Sequence, residues 1–234
     1  MEPRALAFDV FGTVVDWRTS VAEAVEEAAA RHEVRVDGGA FADAWRGRYQ
    51  PSLDRVRTGA IAWTVLDDLH RESLDALLDQ FGLHSLGEAE RQDLNLVWHR
   101  LHPWPDSVSG LGRLRRRHVL TTLSNGNFAL LVDLVKAGNL PFDCILSAEL
   151  CQAYKPDPRT YRLAPTLLRL RPDQVMMVAA HQDDLQAAAA QGLRTAFVRR
   201  PEEWGPAAGG REEAAEGFDL VADDFLDLAR QLDA

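Results

Sequence analysis

The chain has 234 residues, 46% of them hydrophobic and 26% charged, the composition of an ordinary folded protein long enough to bury a real core. Its net charge of −10 lacks the basic footprint of a general nucleic-acid binder, yet does not exclude an anionic substrate, because a local arginine pocket can outweigh the global field. Cys144 and Cys151 are too few and too irregularly placed for a disulfide framework or a zinc site, no basic-then-apolar leader opens the chain, and no apolar run reaches the ~18 residues of a membrane span, so a reduced, cytoplasmic protein is expected.

The first predicted element is a buried strand over residues 4–9, an apolar run ending in one carboxylate, Asp9, followed by a Gly12-Thr13 turn. Open α/β sheets place their ligands at such strand ends, and a lone carboxylate there can serve as a nucleophile. Phe11 stands two residues further on, where a second carboxylate would help to hold magnesium. From about Ser20 to Leu101 the pattern is helical, with Val21, Ala24, Val25 and Ala28, then Phe41, Trp45 and Tyr49, then Leu66, Leu69, Leu74, Leu77 and Leu78 at helical spacing. Pro103-Trp104-Pro105-Asp106 reads as a rigid connector that ends this block.

Strands and helices then alternate. Strands are expected at 119–123, 144–146, 175–180, 195–198 and, weakly, 220–221; helices at 128–137, 158–170, 184–191 and 224–232. Arg199 to Gly217, rich in Pro, Gly and Glu, reads as a surface loop. Alternation implies a parallel sheet, and the first strand must join it, since a lone strand is unstable. The expected fold is therefore α/β, a Rossmann-like core of residues 1–15 and 104–234 with a helical cap of residues 16–103 inserted after the first strand.

Three further segments fall at strand ends or helix starts, as Asp9 does. Ser124-Asn125-Gly126 precedes a helix whose N-terminus can bind an anion, although alone it reads equally as a capped turn. Tyr154-Lys155-Pro156-Asp157-Pro158 holds a lysine between two prolines, ahead of Tyr161. Ala180-His181-Gln182-Asp183-Asp184 opens a helix in which acidic residues suit the dipole. His99 and His102 read as structural. The aromatic supply of Phe11, Trp45, Trp63, Trp98 and Trp104 suggests a small apolar pocket.

In this order the segments resemble the haloacid dehalogenase-like superfamily, and in detail its type II 2-haloacid dehalogenases. Phosphatases of the superfamily carry Asp-x-Asp at the start and a metal-binding Asp four residues before the last motif Asp; here those positions are Phe11 and Ala180. The resemblance implies a metal-independent hydrolase without a cofactor that converts short 2-haloacids to 2-hydroxy acids. Asp9 would attack C2 and form an ester, Arg46 and Asn125 would hold the departing halide, and Lys155 would keep Asp9 ionised. Asp184 would position or activate the water that hydrolyses the ester. Ser124, Thr13 and Tyr161 would orient these groups or the substrate carboxylate, and Val10, Phe11 and Trp63 would lie about the substrate. Two departures stand out: Ala179 and His181 occupy positions usually Ser and Asn, which leaves His181 as a donor to halide or ester oxygen, or as a base. A homodimer is common in the family. The alternatives are a phosphatase with an altered metal site and a non-catalytic anion-binding scaffold.

Overall fold

Strand β1 (Ala5–Phe8) is buried on both faces, as its unbroken apolar run demands of a parallel sheet. A computed structural model describes residues 2–205 and 217–234. In it, β1 is the middle partner of β4 (Val119–Thr122) and β5 (Val175–Ala179), and the sheet continues through β6 (Arg194–Val198) to β7 (Leu220–Ala222). The order is β4-β1-β5-β6-β7, every pairing parallel, with Phe8 in register with Thr122 on one side and Val178 on the other. Side chains alternate between the faces. Leu6, Phe8, Met176 and Val178 pack under α6 (Ser107–Leu114) and α11 (Phe225–Gln231), while Ala5, Ala7, Val175 and Met177 face α8 (Pro158–Tyr161), α9 (Leu163–Leu168) and α10 (Gln182–Ala189). Helix α7 (Phe128–Ala137) follows β4.

The expected helical insertion is present as α1 (Trp17–Arg31), α2 (Gly38–Gly47), α3 (Tyr49–Arg57), α4 (Leu66–Leu78) and α5 (Glu88–Asn95). Asp16 and Asp37 cap α1 and α2 by accepting from Thr19 N and Ala40 N, which satisfies backbone donors that a helix start leaves bare. The entry and exit of this block are joined by a short antiparallel ribbon, β2 (Val15–Asp16) with β3 (His102–Pro103), that the sequence pattern did not reveal.

Two predicted elements differ. The strand at 144–146 is reduced to single bridges, Thr121 with Cys144 and Ser124 with Ser147. The Asp143 carboxylate takes the Leu120 N–H at 2.9 Å, so a side chain occupies a donor that a ladder would use. The helix expected over 158–170 is broken at Arg162 into α8 and α9, because Pro165 has no N–H to return to Tyr161 and its ring crowds that carbonyl. Residues 199–205 carry neither helix nor strand, as expected of a loop; the remainder of that expectation, 206–216, lies outside the described residues.

Candidate active site

Asp9 follows β1 directly, and its N–H donates to the Val178 carbonyl at 3.0 Å, so the sheet itself fixes the carboxylate at its C-terminal edge. The chain then turns through Gly12 at φ +84°, a conformation glycine adopts without steric cost. That turn brings Thr13 back beneath the carboxylate: its hydroxyl donates to Asp9 Oδ2 at 2.9 Å and accepts from Ala180 N–H at 2.9 Å. Lys155 is buried and sits between two carboxylates, its Nζ 3.3 Å from Asp9 Oδ1 and 2.6 Å from Asp184 Oδ2. Its backbone N–H donates to Asn125 Oδ1 at 2.8 Å, which ties the loop after β4 to the lysine segment. The other Asp184 oxygen accepts from Tyr161 Oη at 2.6 Å.

Electrostatics follow from this packing. Burial alone pushes Asp9 up, but Lys155, His181 and Thr13 outweigh it and hold the carboxyl well below the usual range. Burial likewise opposes the Lys155 ammonium, and Asp184 and Asp9 overcome it, so the lysine stays charged. Asp184 is pushed up, first by burial and then by Asp9, against the pull of Lys155. Tyr161 is held neutral by burial and by the adjoining Asp184 carboxylate.

The insertion supplies the opposite wall. Arg46, at the end of α2, lays its guanidinium 4.2 Å over the Tyr49 ring and 5.4 Å from the Trp17 ring; its Nη1 is buried with no hydrogen-bond partner among the described residues. Asn125 Nδ2 donates to Tyr49 Oη at 3.0 Å, joining the two sides. Arg57 Nη2 donates to the Lys155 carbonyl across the mouth. Between these walls lies a cavity of about 510 Å³ with Asp9, Asp184 and Lys155 on the side of the sheet and Arg46, Tyr49, Gln50 and Arg57 opposite.

His181 caps the start of α10 and faces Asp9, with Nδ1 3.1 Å from Oδ2. Its Nε2 lies 3.0 and 3.1 Å from the two oxygens of Glu203, which is buried and also accepts from Trp17 Nε1 at 3.0 Å. Burial disfavours the imidazolium, but Glu203 and Asp9 on either side overcome that and raise it well above the ordinary histidine range. Burial opposes the Glu203 carboxylate too; His181, Arg46 and Trp17 keep it ionised.

Of the residues singled out in the sequence, Asp9, Phe11, Arg46, Asn125, Lys155, Tyr161, His181 and Asp184 line the cavity. Val10, Thr13, Ser124 and Trp63 do not. Val10 is buried in the core and Thr13 lies behind Asp9. Ser124 Oγ accepts from Gly126 N–H at 3.1 Å and shapes the turn. Trp63 packs its ring on Tyr154 at 4.5 Å, away from the cavity lining. Trp45 and Trp98 form a buried aromatic cluster with His70 in the insertion, and Trp104 donates to the Gly12 carbonyl, so Phe11 alone of that aromatic set reaches the cavity. The sequence reading missed Gln50, Arg57, Asp183, Trp204 and, behind His181, Glu203. Tyr49 and Gln50 follow Arg46 by three and four residues, across the junction of α2 and α3, a spacing that could have disclosed them. Glu203 carries no local signal.

The donor set does not suit a divalent cation. An ammonium, Lys155, fills the space between Asp9 and Asp184, the phenyl ring of Phe11 stands where a second carboxylate would, and Ala180 offers only a methyl.

Comparison with known proteins shows the family. Residues 3–192 match the family described as haloacid dehalogenase-like hydrolase. The (S)-2-haloacid dehalogenase 1 of Pseudomonas sp. (strain CBS-3) is 33% identical over 204 residues, covering 86% of each chain. The crystal structure of a defluorinating L-2-haloacid dehalogenase superposes with a TM-score of 0.95 at 46% identity, covering 99% of this chain and 96% of that one. The L-2-haloacid dehalogenase of Xanthobacter autotrophicus, solved with chloropropionic acid covalently bound, gives a TM-score of 0.83 at 28% identity, covering 99% of each chain. The chain belongs to the haloacid dehalogenase-like hydrolases. Within them its place is with the type II L-2-haloacid dehalogenases.

Proposed function

We propose that the chain is a metal-independent dehalogenase that converts short 2-haloacids, such as haloacetate and L-2-halopropionate, to 2-hydroxy acids through an ester on Asp9. One observation carries the assignment: the ionised Asp9 carboxylate at the sheet edge faces a cavity whose far wall holds a buried, partly unpaired guanidinium. Asp9 Oδ2 already accepts from Thr13 and His181, whereas Oδ1 has only Lys155 at the longer 3.3 Å, so Oδ1 is the oxygen freer to attack C2. A carboxylate is a poor nucleophile in water and a better one where the cavity replaces its hydration with fixed dipoles.

The halide leaves opposite the attacking oxygen. In this reading Arg46 and Asn125 are the donors that receive it, and a preorganised donor aimed at developing charge is typically worth ~2.7–4 kcal/mol. Phe11 supplies an apolar wall. Lys155 balances the Asp9 charge; Asp184 and Tyr161 hold that ammonium in place, and Asp184 lies where water would approach the ester. Ser124 and Thr13 act by shaping the two loops.

In this account residues 16–103 are the cap and residues 1–15 and 104–234 the core, with the β2–β3 ribbon at the crossing. Phe128 and Val132, one turn apart on α7 and exposed, supply an apolar surface for a homodimer. Among the described residues no helix is long and apolar enough to cross a membrane. Cys144 and Cys151 are free thiols, which suits the reducing cytoplasm. Haloacid and halide are then the only small-molecule partners required.

Halide release from chloroacetate and from L-2-chloropropionate in the presence of EDTA tests the assignment. Release by the native chain and none by Asp9→Asn is expected. Activity on a phosphate ester that needs added magnesium, without halide release, would instead favour the phosphatase alternative.

A further inference from the structure

Beyond the bond from His181 to Asp9 Oδ2, two residues of the site have no step of their own in the displacement just described: His181, set between two carboxylates, and Glu203, buried behind it. We propose that His181 is the base that takes the proton from the water hydrolysing the Asp9 ester, and that Glu203 is the positioning residue that makes it one. The inference rests on the dehalogenase assignment above and concerns its second step.

The geometry favours His181 over the other groups within reach. Each Asp184 oxygen is already engaged at 2.6 Å, by the Lys155 ammonium and by the Tyr161 hydroxyl, so that carboxylate is tied to its neighbours and can position water but is a poor candidate for the base. The Thr13 hydroxyl is spent between Asp9 and Ala180 N–H. His181 Nδ1 points at the Asp9 carboxyl group from 3.1 Å, while Nε2 is clamped by both oxygens of Glu203. A carboxylate that accepts from one ring nitrogen fixes the tautomer and leaves the other nitrogen as the base, which is the logic of a hydrolase triad. Trp17 Nε1 donates to Glu203 at 3.0 Å and holds it in place. Gly12 makes room for it: a Cβ at that position would stand 2.1 Å from Glu203 Oε1.

Charge explains why the base is silent until it is needed. In the resting site the carboxylates Asp9, Asp184 and Glu203 face the cations Lys155, Arg46 and His181, and the formal charges cancel. Attack on C2 forms the Asp9 O–C bond and breaks the carbon–halogen bond, whose electron pair leaves as halide. Asp9 is then neutral. The imidazolium loses one of its two anionic neighbours and releases its Nδ1 proton to solvent, while Glu203 retains Nε2–H. Water adds to the ester carbonyl carbon and gives a proton to Nδ1. The tetrahedral intermediate collapses, and the departing alkoxide takes that proton and leaves as the hydroxy acid. The second proton of the water, carried on the regenerated carboxyl group, passes to Nδ1 and restores the resting pair.

The test compares Glu203→Gln and His181→Gln with the native chain on chloroacetate, by rapid-quench halide release and intact-protein mass. The expected result is one halide released per active site before turnover stalls, a carboxymethyl adduct that persists on Asp9, and steady-state turnover lowered by about 10²–10⁴. Residual hydrolysis in Glu203→Gln should have its acidic limb displaced to lower pH. Removing that carboxylate lowers the imidazole, because Glu203 is the first of the charges that raise it; Lys155 across Asp9 and Arg46 beside residue 203 then oppose the imidazolium, and Asp183 and Asp184 on α10 favour it. Native turnover in both variants, or loss of the first halide with no adduct, would overturn the proposal. If either variant fails to fold, the adduct in the other decides. A native chain that releases no halide at all would sink the dehalogenase assignment, an outcome distinct from either of these.

Discussion

Arg46 is the residue whose unpaired Nη1 most directly invites a negative charge, and the Tyr49 and Trp17 rings lie against its guanidinium. Arg46→Ala is expected to lower kcat for chloroacetate by about 10²–10³, the usual consequence of losing one preorganised donor, with a smaller effect on KM. A variant that changed KM alone would place the guanidinium on the substrate carboxylate instead. Asp9, Asn125, Lys155 and Asp184 were legible in the sequence because each sits at a strand end or helix start, where short-range pattern and site coincide. Arg46 and the roles of the whole set came from the family resemblance. Glu203 was invisible for a physical reason: it lies in a stretch whose composition resembles a solvated loop, and only tertiary packing against Trp17 and Gly12 buries it. Thr13 and Ser124, also singled out in the sequence, lie outside the cavity lining, with Thr13 beneath Asp9 and Ser124 holding the Gly126 turn.

At the scale of elements, periodicity sufficed where burial is uniform. The sheet strands β1, β5 and β6 and the helical insertion were all readable, since buried parallel strands and amphipathic helices write their own patterns. What failed was local competition, Asp143 taking a ladder donor and Pro165 interrupting a helix, together with a ribbon, β2–β3, too short to leave a pattern. The insertion is also clasped to α7. His99 Nε2 lies 3.1 Å from Asp67 and Nδ1 2.8 Å from Asp133, and Asn127 Nδ2 donates to Asp67 at 2.8 Å. Burial works against the His99 imidazolium, but Asp67 and Asp133 raise it above its ordinary value; Asp67 is lowered, against burial, by His99 and Asn127. A raised histidine contributes stability that is complete below its unfolded value of about 6.5 and fades as pH climbs through the folded value; a lowered aspartate loses its share only as pH falls below about 4. The Tm of His99→Gln should therefore fall short of native by about 2–4 °C between roughly pH 4.5 and 6.5, corresponding to about 1 kcal/mol, and the gap should narrow above that window. A gap that stays constant to pH 9 would mean that the neutral ring makes the clasp.

For the molecule as a whole, a parallel sheet fixes one carboxylate at its edge and an inserted helical block closes over it with an arginine. The net charge of −10 does not prevent the uptake of an acid, because the cavity gathers its own cations: Lys155, Arg46, Arg57 and His181. Displacement at carbon and hydrolysis at the carboxyl group then take place on the same side chain, so the oxygen of water must enter the protein before it enters product. A single turnover of chloroacetate by excess protein in ¹⁸O-labelled water measures this directly. The account requires one heavy oxygen in the peptide containing Asp9 and an unlabelled hydroxyl in the glycolate formed. Label in the glycolate hydroxyl with none in Asp9 would show water attacking carbon directly, and the ester on Asp9 would have to be abandoned.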